Sequence, residues 1–152
     1  MAVSLLGLVV AVAMLVATAS GLGVSPDGVA YLSLAGELRT GGSPYATLAP
    51  SPTHYAPFWA IVVGVTAAVT GVGDLLGIAR ILNALLAATI PVLVYASVRR
   101  AAAAPVWWGV LAAAVVAFLF GLFRLSVRAL TEPLFVVLLL AALLLVEIGA
   151  DR

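Results

Sequence analysis

Apolar residues fill this chain in long blocks separated by short polar stretches. The first block runs from Ala2 to about Val24. A helix of roughly 20 residues, rising 1.5 Å per residue, crosses the hydrocarbon core of a bilayer, so this block is long enough to span. It stops at Ser25-Pro26-Asp27-Gly28. There Ser25 is placed to cap a new helix, Pro26 to fill its first position, and Asp27 to sit in the first turn, where the dipole favours an anion. Tyr31, Leu34 and Leu38 then share one helical face, while Ser33, Glu37 and Thr40 lie away from it, up to Gly41-Gly42. The spacing predicts a helix over 25–40 that lies in the interface rather than crossing. Residues 43–57, with Pro44, Pro50, Pro52 and Pro57, are too rich in proline for regular structure.

The block from Phe58 to Val72 is apolar but short for a crossing. Leu75 to Val98 is long, carries Pro91 as an expected kink, and closes on Arg99-Arg100. A further block, Val106 to Phe123, opens on the aromatic pair Trp107-Trp108, and the last runs over about 133–149. The pattern predicts an all-α, polytopic membrane helical bundle forming one domain over 1–152. Its four spans lie at about 2–24, 75–98, 106–123 and 133–149, with juxtamembrane helices in a first extracytoplasmic loop, 25–73. Were Phe58–Val72 also to cross, Arg99-Arg100 would share a side with Asp27. Arginine enrichment in short cytoplasmic loops favours four crossings instead. That arrangement gathers Asp27, Glu37, His54, Asp74, Arg80, Arg124, Arg128 and Glu132 at the extracytoplasmic surface.

Composition agrees with the blocks: 65% of residues are hydrophobic and 9% charged, against about 25% charged in soluble domains. An integral membrane protein is expected. The net charge of +1 points to no nucleic-acid partner. All seven basic residues are arginine, whose planar fork suits phosphate. Without cysteine, disulfides, thiolate metal sites and thiol nucleophiles are excluded. Ala17-Thr18-Ala19 has the small residues of a signal cleavage site, but no Lys or Arg precedes the first block and the block is long for a signal core, so a retained span is expected.

Six acidic residues are present in all. Asp27 is the candidate general base or divalent-cation ligand; a carboxylate satisfied by helix-start N–H groups is the competing reading. Arg80 lies early in an apolar run, where an ionisable group is a functional hypothesis by default, with snorkelling or a salt bridge to Asp74 as the alternative. Arg124, Arg128 and Glu132 would stack on one face if helical, although Pro133 argues for a helix boundary near Glu132. They could form an anion pocket or a solvated loop. His54, beside Tyr55 in the proline-rich loop, reads more readily as a hydrogen-bonding loop residue than as a ligand. Glu147 and Arg99-Arg100 read as solvating helix ends.

The order of these features resembles the N-terminal half of membrane glycosyltransferases of the GT-C fold, such as the protein O-mannosyltransferases and the lipid A aminoarabinose transferases. The likeness is carried by Pro26-Asp27-Gly28-Val29-Ala30-Tyr31 after the first span, and by His54-Tyr55-Ala56-Pro57-Phe58-Trp59 leading into a short helix. Gly73-Asp74 and Ala79-Arg80-Ile81-Leu82-Asn83-Ala84-Leu85 open the next span, and Arg128-Ala129-Leu130-Thr131-Glu132-Pro133-Leu134 follows. The resemblance covers nearly the whole chain through weak motifs in a matching order. A single Asp27 stands where many members carry paired acids, and those enzymes usually have eight or more spans, so the chain reads as a fragment or a minimal N-terminal module. The resemblance implies that Asp27 activates an acceptor hydroxyl for inverting attack on a polyprenyl-phosphate sugar. It implies that Arg80 and Arg128 steady the lipid phosphate, and that Glu132 orients a substrate or an arginine. His54 is a further substrate-binding candidate. The partners expected are that donor and membrane lipid, at the outer face of a bacterial plasma membrane. No cofactor is required, with a divalent metal at Asp27 left open. A non-catalytic helical scaffold or lipid-binding subunit is the alternative.

Overall fold

A computed structural model describes residues 2–42, 57–101, 104–129 and 131–150. Among them are seven α-helices and no strand: α1 (Ala2–Ala17), α2 (Pro26–Arg39), α3 (Phe58–Thr70), α4 (Leu75–Ala101), α5 (Val106–Ala117), α6 (Phe120–Ser126) and α7 (Glu132–Ala150). The all-α class expected from the blocks is therefore observed. Two helices, α4 and α7, are long and apolar enough to cross a membrane. The other two expected spans are shorter than drawn from the sequence. α1 has 16 residues and stops at Ala17 rather than near Val24, and the 106–123 block is divided into α5 and α6 by Phe118 and an extended Leu119.

The α4 helix is the axis of the bundle. Gly7 of α1 lies so close to the Ala88 carbonyl of α4 that a Cβ would stand 2.7 Å from it, while Thr18 beyond the end of α1 reaches Arg80. The two helices therefore run antiparallel. At the other end of α4, Gly109 of α5 faces the Tyr95 ring and the Arg99 stem, and the Arg99 guanidinium donates to the Ala104 carbonyl. α4 continues as one helix through the buried Pro91. Asp74 starts it, its Oδ1 accepting from the Gly77 N–H at 2.9 Å.

α2 and α3 form a hairpin over the first third of α4. Ser25 caps α2 by accepting from the Gly28 N–H at 3.2 Å, as the Ser-Pro-Asp signal predicts. The helix closes in a Schellman arrangement: Gly42 N–H donates to the Glu37 carbonyl at 2.8 Å, and Gly41 N–H to that of Leu38 at 3.3 Å. Gly41 has φ +77°. Tyr31, Leu34 and Ala35 are buried against Trp59, Ala60, Val63 and Ala67 of α3 and Ile78 and Ala79 of α4. Gly64 permits that approach, since a Cβ there would lie 2.8 Å from the Ala35 carbonyl oxygen. Residues 43–56, which include His54, lie outside the described residues.

Candidate functional site

The segment after α1 and the segment after α6 meet at the end of the bundle where α4 and α7 begin. Gly23 N–H donates to the Val127 carbonyl and Ala129 N–H to the Gly23 carbonyl, both at 3.0 Å, in a parallel bridge of Gly23 with Arg128. Five residues farther along, Gly28 presses on the same segment, where a Cβ would stand 2.9 Å from the Ala129 carbonyl oxygen. Asp27 and Arg128 are thus each one residue from that contact, and both side chains are exposed. Elements about a hundred positions apart in sequence bring the backbones of Asp27 and Arg128 to one end of the bundle.

Asn83 holds this arrangement from below. It is fully buried in α4, and its Nδ2 donates to the Ser126 carbonyl at 3.1 Å and to the Arg128 carbonyl at 2.6 Å. One side-chain amide therefore satisfies two carbonyls left over where α6 ends, as buried polar backbone requires. Its Oδ1 has no partner. The sequence reading passed over Asn83 as a fixing residue. The available signal was an asparagine inside an apolar helix, which must find a hydrogen bond or bear a large desolvation cost.

The end of α6 follows from the same contacts, since a helix continued past Ser126 would carry Val127 and Arg128 as helical residues. Here the chain leaves α6 at Val127 and trades helical bonds for those to Gly23 and Asn83. The expected stacking of Arg124, Arg128 and Glu132 on one face accordingly does not occur. Arg124 is in the last turn of α6, Arg128 lies in the bridge, and Glu132 opens α7.

Arg80 is half-buried and engaged elsewhere than at the surface. Its Nη2 donates to the Leu15 carbonyl at 2.6 Å and its Nε to Thr18 Oγ1 at 3.0 Å, while Thr18 Oγ1 donates to the Met14 carbonyl at 2.6 Å. A cation at a helix C-terminus meets the negative end of the dipole and satisfies orphan carbonyls. This explains why α1 ends at Ala17, seven residues before the apolar block does. Asp74 caps its own helix, so the alternative of an Arg80–Asp74 salt bridge is replaced by two local roles.

Glu132 borders an apolar cavity between α3 and α7, together with Phe58, Trp59, Leu134, Phe135 and Leu138. Its Oε2 is buried without a hydrogen-bond partner. Among the described residues, no three His, Cys, Asp or Glu side chains gather where they could hold a metal ion. The chain matches no protein-family model, no curated protein and no solved structure.

Proposed function

We propose that this chain is a membrane glycosyltransferase module that transfers a sugar from a polyprenyl-phosphate donor to an extracytoplasmic hydroxyl. The observation that supports the reading is the Gly23–Arg128 bridge, which brings the backbones of two exposed residues, Asp27 and Arg128, to one end of an apolar bundle. In this reaction Asp27 accepts the proton of the acceptor hydroxyl as its oxygen attacks the anomeric carbon. The bond from that carbon to the phosphate oxygen breaks, and the lipid phosphate leaves with both electrons. Attack opposite the leaving group inverts the configuration. Arg128 offers the departing phosphate a planar pair of donors. Arg80 acts at one remove, fixing the end of α1 from which the Asp27 turn departs. Glu132 would orient a substrate, and His54, outside the described residues, would contribute from the loop.

Four crossings remain our reading of the topology. In support, α2 carries Asp27, Glu37 and Arg39 and packs lengthwise on α3. A spanning α3 would draw those charges into hydrocarbon, which is costly. α1, α5 with α6, α4 and α7 then cross, and the polar end faces outward.

Arg80 favours the second reading, a non-catalytic lipid-binding subunit, because its guanidinium is spent on α1 rather than presented to a phosphate. The two readings part in one assay. Purified protein in a bilayer is supplied with a radiolabelled polyprenyl-phosphate sugar and a mixture of hydroxyl acceptors. Transfer with inverted anomeric configuration supports the enzyme, whereas donor binding without turnover supports the lipid-binding subunit.

A further inference from the structure

The cavity between α3 and α7 has a volume of about 300 Å³ and is lined almost wholly by apolar side chains, Phe58, Leu134, Phe135 and Leu138 among them. Three of its lining residues, Trp59, Thr131 and Glu132, carry polar atoms, and two of these have a buried one without a partner. Trp59 is 1% exposed, and its indole Nε1–H has no acceptor. Glu132, in the first turn of α7, has a buried Oε2 with no donor. Buried polar groups in folded proteins are paired in the large majority of cases, so two orphans of opposite kind bordering one cavity call for an occupant.

The missing partners define its chemistry. The indole N–H needs an acceptor and the carboxylate needs a donor. The hydroxyl of an amphiphile does both, and unlike a water it brings the apolar body that these walls suit. An ammonium donates only, and an ether accepts only. A phosphate would bring negative charge against Glu132, and no arginine lines the cavity to offset it. The walls demand a hydrocarbon chain behind the head. The terminal torsion of a glutamate is soft, so either carboxylate oxygen can turn toward a bound head group.

We infer that the α3–α7 cavity is a binding site for a neutral, hydroxyl-headed, long-chain amphiphile, a long-chain alcohol or a monoacylglycerol, held by Trp59 and Glu132. Its occupancy is read by labelling and does not depend on sugar transfer.

The full chain is placed in phosphatidylcholine nanodiscs, whose head groups carry no hydroxyl. Diazirine-bearing probes of one chain length are then photolysed, ending in an alcohol, a glycerol ester, a methyl ether, an amine or a phosphate. The alcohol and glycerol probes should label residues 58–63 and 131–138 saturably and about tenfold more than the ether or phosphate, as expected for the hydrogen bond to Glu132 that neither of these can donate favourably. Whichever hydroxyl probe labels more strongly identifies the source. Trp59→Phe keeps the ring and loses the N–H, and should cut that labelling several-fold while leaving helix content unchanged by circular dichroism. Glu132→Leu should do the same. Equal labelling by alcohol and ether, stronger labelling by amine or phosphate, or alcohol adducts outside those two segments would overturn the assignment. So would undiminished labelling of Trp59→Phe, which is the variant least able to disturb the fold.

Discussion

Asn83 and Arg80 lie one turn apart on α4, and each fastens a different neighbour. Asn83 takes the carbonyls of Ser126 and Arg128, and Arg80 takes those near the end of α1 with the help of Thr18. Asn83→Leu keeps the bulk but strands two carbonyls, and an unpaired buried acceptor costs about 1–3 kcal/mol. We expect a loss of that size, read as a lower denaturant midpoint by tryptophan fluorescence. Arg80→Lys retains charge but not the two-pronged grip, so stability should fall by about 1 kcal/mol, again read as a lower midpoint. Arg128→Lys, at an exposed position, should leave the midpoint alone and raise the donor KM. Equal midpoints for the two arginine variants would mean that Arg80 does not fasten α1.

Among the elements, the α2–α3 hairpin was the more legible from sequence and the α5–α6 break the less so. Ser25, Pro26 and Gly41-Gly42 mark the ends of α2 through local chemistry, and the structure places those ends within a residue. No Pro or Gly stands at Phe118-Leu119. Nothing in the local sequence marks that break, and the end of α6 is equally unmarked, because the groups that take up the backbone of 126–129, Gly23 and Asn83, are distant in sequence. The hairpin itself depends on the close approach at Gly64. Gly64→Val should force α2 off α3 at a cost of about 1–3 kcal/mol, the usual range for overpacking. Hydrogen exchange in α2 should then rise well above that in α4, and unchanged protection of α2 would count against the packing described.

For the molecule as a whole, the blocks of apolar sequence predicted the helical class and the order of elements, while helix lengths came out shorter than the blocks for α1 and α5. Of the candidate site, Asp27 was readable as an acid at a helix start. Its proximity to the Arg128 segment was not, because it rests on backbone bonds between Gly23 and residues 127–129. The topology has its own test: with four crossings, a cysteine at Thr40 and one at Gly149 should label from opposite sides of the membrane, and from the same side with five. The proposed function rests on Asp27, and sugar transfer by wild type beside Asp27→Asn tests it most directly. Asparagine keeps the shape of aspartate but cannot take a proton, and loss of a general base typically slows turnover by ~10²–10⁴-fold. The account predicts a loss in that range with folding intact. Turnover by Asp27→Asn close to that of wild type would contradict it and leave Asp27 as a carboxylate that merely starts α2.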